Sequence, residues 1–155
     1  MSRRNKPPKR QTPPDGKYNN LHVQMIINRM MYGGKKSVAT SLMYGALDLI
    51  EERMKRHPVE VLEAALRNVM PAIEVKPMRV GGATYQVPVE VPHERSITVA
   101  MRWILDNARN RGGRNMSEKL AAELMDAFNG QGNSVKKKDD THRMAEANRA
   151  FAHFR

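Results

Sequence analysis

The run Ile73-Glu-Val-Lys-Pro-Met-Arg-Val-Gly-Gly-Ala-Thr-Tyr-Gln-Val-Pro-Val-Glu-Val91 lies between helix-like stretches and reads as one solitary β-hairpin. It constrains the fold more than any other segment, because a lone hairpin among helices is an arm and not a sheet. Val87, Val89 and Val91 alternate behind Tyr85, and Gly81-Gly82 can supply the positive backbone angles of a two-residue hairpin turn. Pro77 and Pro88 lie inside the two runs, where they cannot donate to a ladder, which suits a free ribbon better than a sheet interior. A two-stranded ribbon is marginal in water by itself. The segment is therefore predicted to lean on helices at its base and on a partner at its tip. Lys76 and Arg79 near the turn make that partner anionic.

The flanking sequence has helical periodicity. Val23, Ile26, Ile27, Met30 and Met31 recur at helical spacing up to Gly33-Gly34, predicting a helix over about 20–32. Val38, Leu42, Ala46, Leu49 and Ile50 form a second stripe, ended by His57-Pro58, and Val59, Leu62, Leu66 and Val69 form a third. After the hairpin come Ile97, Ala100, Met101, Ile104, Leu105 and Ala108, closed by Arg111-Gly112-Gly113-Arg114. A fifth helix follows, with Ser117 as N-cap and Leu120, Ala121, Leu124 and Phe128 inward. The last, about 135–153, is predicted to bury Met144, Ala147, Phe151 and Phe154. The expected fold is mainly α: one six-helix domain over 18–155, a protruding hairpin at about 73–91, and a basic extended tail over 1–17, whose two Pro-Pro pairs and lack of apolar periodicity keep it out of a core. The twelve methionines are read as core filler.

Charge identifies the kind of partner. The chain of 155 residues carries 27 Lys and Arg against 16 Asp and Glu, a formal net charge of +11, and such an excess calls for a polyanion, nucleic acid first. The excess is concentrated: nine basic residues and one acid fall in the first forty positions, and seven and three fall in 76–115. No long apolar run or signal-peptide pattern is present, so no membrane partner is expected and an intracellular location is. Zero cysteines exclude disulfides and thiolate ligands.

The motifs that could carry chemistry fail on spacing. Gly33-Gly34-Lys35-Lys36-Ser37 ends like a nucleotide-binding loop, but Arg29 stands where the first glycine is needed and a helix precedes it instead of a strand. A helix-ending turn whose two lysines grip a phosphate is the better reading. The five histidines show no metal-ligand spacing, so no metal or other cofactor is expected. No nucleophile, base and orienting group can be assembled, and the chain is read as no enzyme. A helix-turn-helix around Gly112-Gly113 is disfavoured, because its recognition helix would present Glu118, Glu123 and Asp126 to phosphate. Arg102, Arg109, Arg111 and Arg114 are expected to face a nucleic-acid backbone from the fourth helix and its exit loop instead. The rivals are an architectural DNA-bending protein, which also combines helices with a β-arm, and a nucleic-acid enzyme.

The order of basic tail, Gly-Lys-Lys turn, Arg-Val-Gly-Gly-Ala-Thr-Tyr-Gln-Val-Pro-Val-Glu-Val hairpin, Arg102-Trp103 and closing Met-Ala-Glu-Ala-Asn-Arg-Ala-Phe-Ala-His-Phe-Arg resembles the family of small ribosomal subunit protein seven, bacterial type, from about Asp15 to the end. The ending at Arg155 and the Arg-Gly-Gly-Arg-Asn-Met run resemble cyanobacterial or plastid members. The resemblance implies a structural constituent of the small subunit, in bacterial cytoplasm or plastid stroma, which is a primary binder of small-subunit rRNA and nucleates assembly of the head domain. It implies a place near the transfer-RNA exit site and the mRNA path, contacts with the ninth and eleventh small-subunit proteins, and no homo-oligomer. Together with the charge pattern it marks Arg3, Arg4, Lys6, Lys9, Arg10, Lys17, Lys35, Lys36, Lys76, Arg79, Arg95, Arg102, Arg109, Arg111, Arg114, Lys136, Lys137, Lys138 and Arg143 as rRNA-binding. It places the hairpin tip, Arg79, Val80, Gly81, Gly82, Ala83, Thr84 and Tyr85, near exit-site tRNA, and Arg149, His153 and Arg155 near tRNA and a neighbouring protein. Met78 and Ser96 stand where the family often has arginine, and Gly16 follows Asp15 where proline is usual; the first two shift the expected RNA contacts towards Lys76, Arg79 and Arg95.

Overall fold

The computed structural model describes residues 10–154. Six α-helices run in chain order: α1 Leu21–Met30, α2 Lys36–Met54, α3 Pro58–Val69, α4 His93–Asn110, α5 Met116–Phe128 and α6 Asn133–Ala147. Two strands, β1 Ile73–Val80 and β2 Ala83–Glu90, separate α3 from α4, and a 3-10 helix over Arg149–Phe154 follows α6. The mainly α architecture with one hairpin is as the periodicity predicts.

Local chemistry accounts for most boundaries. Asn20 caps α1 by accepting from the His22 and Val23 amides at 2.7 and 3.0 Å. Gly33 and Gly34, with φ of 59° and 75°, turn the chain before α2. Pro58 opens α3, where a missing N–H costs nothing. Ser117 is not the N-cap of α5: Asn115 holds that position, and the Ser117 hydroxyl reaches across to donate to the Leu42 carbonyl of α2 at 3.0 Å. It can do so because Gly45 leaves room; a Cβ there would meet the Ser117 hydroxyl at 3.2 Å.

Helix α5 is the hub, packing against α2, α3 and α4. Leu120 and Leu124 from it are sealed with Ile26, Ile27, Met43, Leu47, Ile50, Leu62, Leu66, Met101 and Ile104 in one core. At roughly 1.5–3 kcal/mol for each large side chain removed from water, this cluster dominates the stability of the body.

Three expectations fail at the periphery. Val38 is 52% exposed, because α2 begins only two residues earlier and its first turn overhangs the core. Helix α6 buries Ser134, Val135, Thr141 and Ala145 and leaves Met144 and Ala147 exposed, and the chain leaves the α-helix at Asn148. Its inward face is small and polar, so apolar periodicity points to the wrong side. Asp15, assigned to the tail, is 2% exposed: it accepts from the Tyr18 amide at 2.6 Å and from the Tyr44 hydroxyl. The chain is therefore docked on the body by residue 15.

The hairpin pairs antiparallel from Ile73 opposite Glu90 to Val80 opposite Ala83. Gly81 and Gly82 have φ of 58° and 86°, as the two-residue turn demands. Only Val87 of β2 is fully buried, whereas Lys76–Arg79 and Gly81–Thr84 are exposed. The ribbon borrows its order at the base. The Val91 amide extends the ladder to the Ala72 carbonyl at 2.9 Å. Ser96 of α4 donates to the Pro71 carbonyl at 2.8 Å, the Ala72 amide donates to His142 Nε2 of α6 at 3.1 Å, and the Tyr85 and Phe151 rings meet at 5.2 Å.

Candidate nucleic-acid interface

The predicted cations divide into those the fold uses and those it leaves outward. Arg111 is an internal strut. Its guanidinium donates to Glu123 at 2.9 Å and to Asp126, and both partners raise its pKa further. Glu123, 1% exposed, also accepts from the Ser134 amide and hydroxyl at 3.0 and 2.6 Å, so one buried carboxylate joins the exit of α4 to α5 and α6. Lys138 donates to the Asn68 carbonyl at 2.7 Å and thus ties α6 to α3. Lys17 donates to Asp48 at 2.8 Å and lies over the Tyr18 and Tyr44 rings at 5.1 and 5.5 Å; the bond to Asp48 raises its pKa.

At the hairpin base, Arg95 grips Glu74 through three contacts of 2.9–3.1 Å, and Lys76 reaches the same carboxylate at 3.1 Å. Burial would raise the Glu74 pKa, but the bonds from Arg95 and Lys76 outweigh it and the net shift is downward. Half of the Arg95 side chain remains exposed, so this pair both braces the arm and presents positive charge beside it.

Outward cations line helix α4. Arg95, Arg102 and Arg109 are seven residues apart, close to two helical turns, which puts them on one face at intervals of about 10 Å. Arg109 keeps only a loose 3.7 Å contact with Asp106. Arg29 of α1 joins the row, since its guanidinium donates to Thr98, one turn before Arg102, at 3.2 Å. Sequence reasoning missed Arg29; it is the one Lys or Arg of α1, in the last turn, and only the α1–α4 packing brings it into line. Arg10, Lys35, Lys36, Arg79, Arg114, Lys136, Lys137 and Arg149 are also exposed. Arg143 is 80% exposed, 3.8 Å from Asp140. His153 lies on the terminal 3-10 helix. Arg3, Arg4, Lys6, Lys9 and Arg155 fall outside the described residues.

Ser96 explains itself. In place of a cation, a buried hydroxyl pins Pro71 at the entry to the arm. Among the described residues no group of His, Asp and Glu could hold a metal ion, and no helix is long and apolar enough to cross a membrane.

A helical body that uses Glu74, Glu123 and Asp126 as braces and turns a row of arginines outward is suited to be a component of a nucleoprotein assembly. The sequence matches, over residues 2–149, the family described as ribosomal protein S7p/S5e, and the chain belongs to that family. It is 57% identical to the small ribosomal subunit protein uS7 of Caldanaerobacter subterraneus subsp. tengcongensis over 155 residues, 100% of this chain and 99% of that protein. It is 59% identical to the protein of the same name from Methylobacterium nodulans, with the same coverage. With that of Thermotoga neapolitana it shares 54% over 153 residues, 99% of each chain. Membership makes the chain a structural constituent of the small ribosomal subunit, located on the ribosome, and not an enzyme.

Proposed function

We propose that the chain is a primary binder of small-subunit rRNA that nucleates assembly of the head domain and lies beside the exit-site tRNA and the mRNA path. The observation that carries this reading is the α4 row of Arg95, Arg102 and Arg109, joined by Arg29 and continued by the exposed hairpin. A row of cations spaced about 10 Å apart on a helix can neutralise successive phosphates of folded RNA while the arm enters a crevice that a globular face cannot. The hairpin tip, Arg79 to Tyr85, is assigned to exit-site tRNA. The terminal 3-10 helix with Arg149 is assigned to tRNA and to the ninth and eleventh small-subunit proteins. The chain acts as a single copy. Specificity comes from RNA shape, which structured junctions supply and duplex DNA does not.

Competition binding tests the reading. The full chain is expected to prefer a folded head-domain rRNA fragment over random duplex DNA by about a thousandfold, as for other specific nucleic-acid binders. Equal affinity for the two would favour the DNA-bending architecture and defeat the proposal.

A further inference from the structure

Among the described aromatic side chains, Tyr32 alone is exposed, at 91%. Tyr18, Tyr44, Trp103 and Phe128 pack against the core, and Tyr85 and Phe151 cover one another. The backbone that carries it is nonetheless held in place. Met31 closes α1 by donating its amide to the Ile27 carbonyl at 3.0 Å, and the Lys35 amide closes a tight turn on the Tyr32 carbonyl at 3.2 Å. Gly33 and Gly34 between them have φ of 59° and 75°, and a Cβ on either would meet nothing within 4 Å. The surface beside the ring is therefore open, and Lys35 and Lys36, both exposed, follow directly.

We propose that Tyr32 is a stacking platform for a nucleobase of the bound RNA, with Lys35 and Lys36 holding the adjoining phosphates. The proposal deepens, and rests on, the rRNA-binding reading above. A tyrosine has only two side-chain torsions to immobilise, so a ring fixed at its Cα loses little entropy on binding. Every base offers a π-face, and stacking on an aromatic ring requires it to be unpaired, so the turn selects a bulged or looped-out nucleotide and not a helix. Two lysines within four residues of the ring favour a polyanion over an apolar protein surface. Tyr32 lies just beyond the last buried turn of α1.

The test uses the full chain and a protein-free, transcribed head-domain rRNA fragment at fixed salt. Tyr32→Ala is expected to weaken binding by roughly fivefold to a hundredfold, the range for loss of one base–aromatic stack. Tyr32→Phe should bind within about twofold of the parent, because the hydroxyl is outside the stack, and Tyr32→Leu should be as weak as Tyr32→Ala. The dependence of log Kd on log salt should keep its slope in Tyr32→Ala, because stacking releases no counterions. It should lose about one unit per lysine in the Lys35→Ala/Lys36→Ala double variant. Unaltered helical melting would confirm that Tyr32→Ala folds. Wild-type affinity in Tyr32→Ala, or in Tyr32→Leu, would overturn the stacking role while leaving RNA binding intact. Loss of the parent chain's own preference for the fragment over duplex DNA would overturn both.

Discussion

Asp15 shows how much one carboxylate can hold. Its replacement by alanine leaves the Tyr18 amide and the Tyr44 hydroxyl without their acceptor in a site that is 2% exposed. The expected cost is about 1–3 kcal/mol in chemical denaturation. Removal of residues 2–17, which tail composition alone predicts to weaken RNA binding while leaving stability nearly unchanged, should therefore destabilise the body as well. The bond to Asp15, and then burial, push the Tyr44 phenol above its ordinary 10.0. A native pKa above the unfolded one gives stability that is fully present below about pH 10 and is lost as pH rises through the native value. Tyr44→Phe should flatten that alkaline loss when denaturation curves near pH 8 and 11 are compared; an unchanged alkaline loss would exclude the phenol as its source. This cluster is illegible in sequence because Tyr44 is 29 residues from Asp15, and Asp15 itself follows a Pro-Pro pair in a segment that reads as tail.

Legibility differs between elements for a physical reason. The hairpin can be read residue by residue, because Gly81-Gly82 and the strand alternation act locally and need no partner to declare the turn. Helix α6 cannot be read to its face, because its buried positions include Ser134, Thr141 and Ala145, whose burial depends on close approach and not on hydrophobicity. The α4 row lies between these cases: its arginines are visible in sequence, but their alignment with Arg29 arises only from packing. The same distinction separates Arg111 from Arg102, which look equivalent in the chain until Glu123 and Asp126 claim the first. At the hairpin base, Glu74→Gln should weaken the charged clamp from Arg95 and raise amide exchange in β1 by about tenfold, with exchange in α3 and α5 unchanged. The native Glu74 pKa is lowered, so the clamp contributes above about pH 4.5 and is lost as pH falls through the native value. Acid should therefore loosen the arm before the core. Equal exchange in parent and variant would show that Ser96 and His142 hold the base without it.

For the whole molecule, charge is sorted by the fold. Asp48, Glu123, Asp126 and Glu74 hold Lys17, Arg111 and Arg95, so fewer cations are free than the 27 Lys and Arg suggest, and their arrangement is fixed by the fold. The family explains why a small α domain carries such a surface: its place is in the small ribosomal subunit. The account turns on phosphate neutralisation by that rigid surface, and the salt dependence of Kd for the folded head-domain rRNA fragment measures it most directly. With about six to ten phosphates engaged, affinity is expected to fall by roughly three to five orders of magnitude between about 50 and 200 mM salt. Affinity that stays level across the same range would contradict it.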